Sequence, residues 1–292
     1  MPEESAYERL IGKAPERSHM GHVEEEFQRQ FTGQETRRAR REGVAGRLCQ
    51  SFVESARDVS EADFRALKEL ASSNANTRLD SPAVAPFKPK MLYTGSIAAT
   101  RTPPYDWPWT WSATNGDANG SSVRSNNNTG KMSAFENNGD GGGAASGAVA
   151  VGIYFRPPFQ GLGFLNVSAS PVFNYLWWTY NAFDSSHSDG WLGMYVGAYA
   201  LDGTFIGARV NTQNFLWNES HSFLDSPDGQ GSNSGYGLNN SLFVNSDEFY
   251  EIWVWCGGSA SGDGDHTFYG SYGGSSLNVA VPWIHWEYFG GD

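Results

Sequence analysis

Between Phe249 and Phe289 the chain reads Phe-Tyr-Glu-Ile-Trp-Val-Trp-Cys, then Gly-Gly-Ser-Ala-Ser-Gly-Asp-Gly-Asp, then His-Thr-Phe-Tyr-Gly-Ser-Tyr, and closes on Leu-Asn-Val-Ala-Val-Pro-Trp-Ile-His-Trp-Glu-Tyr-Phe. Short runs of aromatic and β-branched residues cut by glycine fit pleated strands and tight turns. Three aromatic strands joined by such turns are not stable alone, so more sheet must lie beside them.

Residues 92–248 supply that sheet. Ala145, Gly147, Val149, Val151, Ile153 and Phe155 alternate with smaller or polar groups, which places them on one face of a strand. Further strands are expected over 92–99, 164–169, 172–181, 191–201, 204–211, 214–219, 238–244 and 247–256. Asp202-Gly203 predicts a hairpin turn, because both residues tolerate the positive φ that tight turns need. Thr114 to Ser146 and Ser222 to Ser234, rich in Gly, Asn and Ser, are expected as long loops, the first with a short strand near Lys131 to Glu136. The expected fold is mainly β: an aromatic- and Gly-rich antiparallel β-sandwich, jelly-roll-like, preceded by an α-helical N-terminal region. No repeat of fixed period points to a propeller or solenoid.

The N-terminal region differs in kind. Residues 3–12 predict a short helix. Val23, Phe27 and Phe31 recur every four residues, as do Val44, Leu48 and Phe52, and each set lines one face of a helix, with Gly33 interrupting the run. Ser60 caps a third helix over 61–72. These stripes are too thin for an independent core. They must bury against the sandwich, against each other, or against another copy or partner. Ser72 to Lys90 carries Pro82, Pro86 and Pro89 and is expected to be extended. The organisation is therefore a helical assembly or anchoring region over 1–72, a linker over 73–90 and a sandwich over 91–292.

Charge follows the same boundary. Acids and bases balance within residues 1–90, so the whole net charge of −12 sits beyond them. The cations of that later part are Arg101, Arg124, Lys131, Arg156 and Arg209. So few, so scattered, argue against nucleic acid and against anionic membranes. No apolar run is long enough for a membrane span. The first residues are acidic rather than apolar, so the expected setting is the cytoplasm or a particle assembled there. Cys49 and Cys256 fall in different regions and form no disulfide framework.

Chemistry is sparse. No zinc spacing, nucleophile elbow or phosphate-binding loop occurs. On Trp191 to Leu201 the rings of Trp191, Tyr195 and Tyr199 share one face and Leu192, Met194, Val196 and Ala198 the other. Trp107, Trp109 and Trp253 sit on similar extended segments. Flat rings of this kind stack on the apolar faces of sugars, serve as subunit contacts, or fill a core. These six rings, Trp191, Tyr195, Tyr199, Trp107, Trp109 and Trp253, are the candidate ligand-binding set. Asp263 and Asp265, in a loop, are oxygen donors of the kind calcium takes, and no other cofactor is expected.

The expected function is that of a non-catalytic structural and binding protein. Its N-terminal helices would give self-association or attachment to a particle scaffold, and its acidic sandwich would be displayed and recognise glycans. The alternatives are a pure assembly subunit (capsid, decoration or filament protein) and a glycosidase-like hydrolase with paired carboxylates, such as Glu251 and Glu287 on adjacent strands.

Overall fold

The alternation over Ala145 to Phe155 builds the middle of the molecule. The computed structural model describes residues 6–33 and 36, 95–116, 118, 120–138, 142–181, 185–222, 225–262 and 271–290. After a short helix α1 (Ala6–Ile11), residues 21–33 are helical, Gly33 included. The strands follow as β1 (Gly95–Arg101), β2 (Trp107–Gly116), β3 (Gly120–Asn126), β4 (Lys131–Asn137), β5 (Gly143–Phe155), β6 (Leu162–Ala169) and β7 (Val172–Asn181). Then come β8 (Ser185–Ala200), β9 (Phe205–Ser222), β10 (Asp228–Asn233), β11 (Leu238–Asn245), β12 (Glu248–Gly262), β13 (Ser271–Ala280) and β14 (Ile284–Gly290).

They form three sheets, all pairings antiparallel. A long sheet has the order β2-β5-β12-β8-β9, an open sheet β10-β7-β13-β4-β3, and a four-stranded side sheet β1-β14-β6-β11. The long sheet is one layer of the sandwich, and the other two sheets share the opposite layer. At one end Phe155 meets Trp286 of the side sheet, ring centroids 5.0 Å apart. At the other end the long sheet carries Ala145, Gly147, Gly258 and Ala260, and the open sheet closes over these small residues, with Ser188 Oγ on β8 donating to the Gly274 carbonyl. Only β3–β4 and β8–β9 are neighbours in one sheet as well as in sequence. Every other connection changes sheet, which is the sandwich behaviour expected of Greek-key and jelly-roll chains.

The fold class is as the sequence indicates, and several details differ. The strands of the C-terminal stretch are not hairpin partners: β12, β13 and β14 belong to three different sheets. The two stretches expected as loops hold β3 and β10. Both are edge strands of the open sheet, paired on one side only, so they need no apolar alternation. Proline-bearing β2 is an edge of the long sheet, where a missing N–H costs no ladder bond. The Asp202-Gly203 turn forms as expected: Ala200 N–H donates to the Thr204 carbonyl at 2.8 Å and Gly203 has φ +90. Val44, Leu48, Phe52, the helix over 61–72, the linker over 73–90, and Cys49 lie outside the described residues. Cys256 is buried on β12 with a free thiol, which burial pushes up in pKa.

Candidate functional site

The molecule has two aromatic faces, and they sit on opposite layers. On the long sheet Leu192, Met194, Val196 and Ala198 of β8 are fully buried, and they share the core face with Val149, Val151 and Ile153 of β5. Pleating therefore sends Trp191, Tyr195 and Tyr199 to the other side. Register aligns them with the rest of the candidate set: Tyr195 lies opposite Trp253 on β12, and Trp107 and Trp109 of β2 lie opposite Gly152 and Ala150 of β5. The sequence-predicted ligand residues thus come together in one trough. All six are buried, from Tyr199 and Trp253 at 0% exposed to Trp109 at 6%.

The chain's own N-terminal segment covers them. The helical stripe Val23, Phe27 and Phe31 faces the trough: Phe27 lies between Trp111 at 5.1 Å and Trp255 at 5.5 Å, with Trp191 nearly parallel at 6.1 Å. Two indoles are fastened from above, Trp107 Nε1 donating to the Pro15 carbonyl at 2.9 Å and Trp109 Nε1 to Glu24 Oε1 at 3.1 Å. Of the three fates open to this amphipathic stripe, burial against the sandwich is the one adopted.

Two histidines complete the clasp. Glu251 is fully buried on β12, and burial pushes its carboxyl upward. The His19 N–H (2.7 Å), the His19 ring (3.1 Å) and the Trp253 indole (3.2 Å) oppose that shift. His22 Nδ1 contacts the His19 carbonyl at 3.1 Å and Nε2 contacts the Tyr195 hydroxyl at 2.7 Å. A carbonyl only accepts, so Nδ1 carries the proton and Nε2 accepts from Tyr195. Burial holds the His22 pKa below its ordinary value, and the bond to the His19 carbonyl opposes it.

Glu251 and Glu287 do not stand on adjacent strands. β12 and β14 lie in different sheets, and Glu287 is opposite Asn166 and Ala98. Asp263 and Asp265 lie outside the described residues. Among the described residues no three His, Cys, Asp or Glu side chains gather as a metal set, and no helix is long and apolar enough to cross a membrane.

The second aromatic face is the outer surface of the open sheet. On β7, Phe173, Tyr175 and Trp177 point inward, while Val172, Asn174, Leu176, Trp178 and Tyr180 point out. Register sets Tyr272 beside Tyr180, Gly274 beside Trp178, Ser276 beside Leu176 and Asn278 beside Asn174. The next strand adds Phe135 beside Ser276 and Ser133 beside Asn278. Tyr180 and Tyr272 stack at 4.9 Å, and Phe135 stands 6.2 Å from Trp178. The Trp178 indole lies flat over Gly274, in space that a side chain there would fill. Phe135 is 40% exposed and Tyr180 44%.

Beside these rings runs a polar rung, Ser232, Asn174, Asn278, Ser133 and Arg124, one residue from each strand of the sheet. Asn278 Nδ2 donates to Asn174 Oδ1 at 3.2 Å, leaving other amide valences free to face outward. A cleft of about 1050 Å3 follows this rung. Reading of the sequence did not find this site. The Gly273-Gly274 pair inside a strand was its one local signal, since bare backbone there invites a neighbouring ring.

Comparison with known proteins adds little. No family model matches the chain, and no curated protein does. Among solved structures, the enzymatically active domain of tailspike protein 4 of bacteriophage CBA120 aligns with 61% of this chain and 19% of its own, at 11% identity and a TM-score of 0.19. The structure of the Gt strain of infectious bursal disease virus aligns with 73% of this chain and 43% of its own, at 12% identity and a TM-score of 0.18. A carbohydrate-binding module of the β-sandwich superfamily aligns with 65% of this chain and 56% of its own, at 6% identity and a TM-score of 0.18. The chain spans less than half the length of the first two. With TM-scores this low, none of the three carries an argument about what this chain does.

Proposed function

We propose that the chain is a non-catalytic structural and binding protein whose N-terminal region serves assembly or anchoring and whose sandwich displays the outer face of the open sheet to a glycan. The observation that carries this reading is the pairing on one exposed surface of flat rings, Trp178, Tyr180, Tyr272 and Phe135, with an amide rung at Asn174 and Asn278. Pyranose rings offer the complementary surface, apolar on their faces and hydroxylated at their edges. Screening the full chain against an oligosaccharide array, with Trp178→Ala beside it, tests the reading. Binding that weakens about tenfold in the variant supports it, the loss of one stacked ring being worth roughly 1–1.5 kcal/mol. A blank array, or binding indifferent to Trp178, sinks it.

A second reading, an assembly subunit, is favoured by the covered trough. Residues 11–31 fill it from outside the sandwich, and residues 34–94 lie between them and β1. A segment that packs on the outside of its own sandwich has a shape that fits a neighbouring copy's trough equally, as in exchanged-arm oligomers. Light scattering across a wide concentration range tests it: a monomer throughout counts against this reading and leaves the glycan reading untouched.

A further inference from the structure

We propose that the glycan taken by the open sheet is an acidic one, its sugars stacked on the rings and its anionic groups held by Arg124 and Lys131. This rests on the glycan reading above and narrows it to a ligand class. The starting point is the distribution of positive charge on a sandwich that carries the chain's entire net charge of −12. Arg101 is bonded to Asp106 at 3.0 Å and Arg209 to Glu248 at 3.1 Å. Arg156, exposed and likewise without an acidic partner among the described residues, lies apart in a cleft lined by Pro157, Pro158 and Asp247, whereas Arg124 and Lys131 lie together. Both are exposed on the open face, and among the described residues neither has an acidic partner.

Their placement is specific. Arg124 ends the polar rung, opposite Ser133, and Lys131 sits on the same strand as Ser133, two residues away and on the same face. Both line the cleft that Asn174 and Asn278 also line. Strands are ~4.8 Å apart and same-face residues ~6.6 Å apart along a strand, so the two cations and the amides lie within ~15 Å of each other. A run of three or four sugars covers that span. Phe135, on the same strand as Lys131, continues the surface toward Trp178 and Tyr272.

An unpaired arginine presents a planar fork that takes a carboxylate or sulfate through two parallel hydrogen bonds, and a lysine adds a point charge beside it. On a protein otherwise repelling anions, two such groups in a polar cleft on the same sheet as the exposed rings favour a ligand that is both sugar and anion. Among the described residues of this face the acid is Asp228, which lies across the sheet on β10, opposite Trp178. It disfavours negative charge at that edge and so orients the acidic groups toward Arg124.

The test uses the full chain and calorimetry with three oligosaccharides of equal length: a uronate oligomer, a sulfated oligomer and a neutral one. Two solvent-facing charge contacts are worth about tenfold in affinity together, and salt screens them. The expected result is that one or both acidic oligomers bind about tenfold tighter than the neutral one at low salt. That margin disappears in the Arg124→Gln, Lys131→Gln double variant, which binds the acidic and neutral oligomers alike. The acidic oligomer that binds tighter identifies the anionic group. Equal affinity for acidic and neutral oligomers, or a margin that survives the double variant, overturns this inference. Trp178-dependent binding of the neutral oligomer would then still uphold the glycan reading. No binding by any of the three overturns both.

Discussion

On the long sheet, Trp107, Trp109, Trp191, Tyr195, Tyr199 and Trp253 face away from the core and are buried all the same, because residues 11–31 lie over them. On the open sheet, Phe135, Trp178, Tyr180 and Tyr272 also face away from the core, and no described segment covers them. Residue type and strand position are nearly the same. What separates the two faces is the cover. A ring facing away from a sandwich core becomes part of a second core when an amphipathic helix is available to pack on it, and stays a surface group when none is.

The comparison is sharpest in stability. Trp253 is fully buried between Trp107, 5.8 Å away, and the core strands. Trp253→Ala is expected to cost about 3–5 kcal/mol, the range for emptying a large buried site. Trp178→Ala, on the open face, is expected to cost less than about 1 kcal/mol. Urea unfolding at constant slope measures both. Equal costs would mean that the two faces are not different in kind.

The next effect isolates the cover itself. Phe27→Ala removes the ring wedged among Trp111, Trp191 and Trp255. Docking of residues 21–33 is expected to weaken by about 2 kcal/mol. Hydrogen exchange in that helix should rise and tryptophan emission should shift to the red, while the sandwich keeps its urea midpoint. A sandwich that loosens in step would show the helix to be part of one cooperative core with it.

Much of this was legible from residues, and the limits have physical causes. The aliphatic alternations on β5 and β8 identified the core face, because only one side of each strand was aliphatic. Val23, Phe27 and Phe31 identified the helix stripe, and nothing local could say which of three surfaces it would meet. β7 hid its outer face: its inward set is Phe173, Tyr175 and Trp177, its outward set Leu176, Trp178 and Tyr180, and a period of two carries no direction when both sides are aromatic. β3 and β10 were hidden for the opposite reason. Gly120 to Asn126 and Asp228 to Asn233 are polar edge strands, held by one neighbour, and they spell turn composition.

The underside of the open face offers a smaller contrast. Glu136, between the outward Phe135 and Asn137, points into the sandwich and is fully buried, with Ser121 and Asp189 near. Burial holds its carboxyl well above the usual value of 4.5. The folded chain therefore keeps a proton that the unfolded chain gives up, and stability falls as pH rises above about 4.5. Glu136→Gln is expected to raise stability at pH 7 by on the order of 1 kcal/mol. The gain should vanish below pH 4, where both forms of wild type are protonated. A gain that is flat with pH would assign the effect to packing instead.

The smallest expected effect bears on the cover again. Neutral His22 accepts from Tyr195 through Nε2, and a protonated ring has no lone pair there. It also stacks on Phe205 and has Glu25 near it. Because burial holds its docked pKa below 6.5, the undocked segment takes up a proton first as pH falls. Docking of residues 11–31 should therefore weaken from about pH 6.5 downward, and level off once the docked ring also titrates. The ring is only half buried, so solvent screening keeps the effect below about 1 kcal/mol. Hydrogen exchange of the 21–33 helix at pH 7.5 and pH 5.5, corrected for intrinsic rates, reads it directly. His22→Gln keeps a polar group beside Tyr195 and removes the titration. Its exchange should be flat over the same interval, where wild type steepens. A wild-type profile that the variant reproduces would move the pH response to the His19–Glu251 pair. That would make the buried carboxylate, rather than the half-buried imidazole, the group that decides whether the trough stays covered.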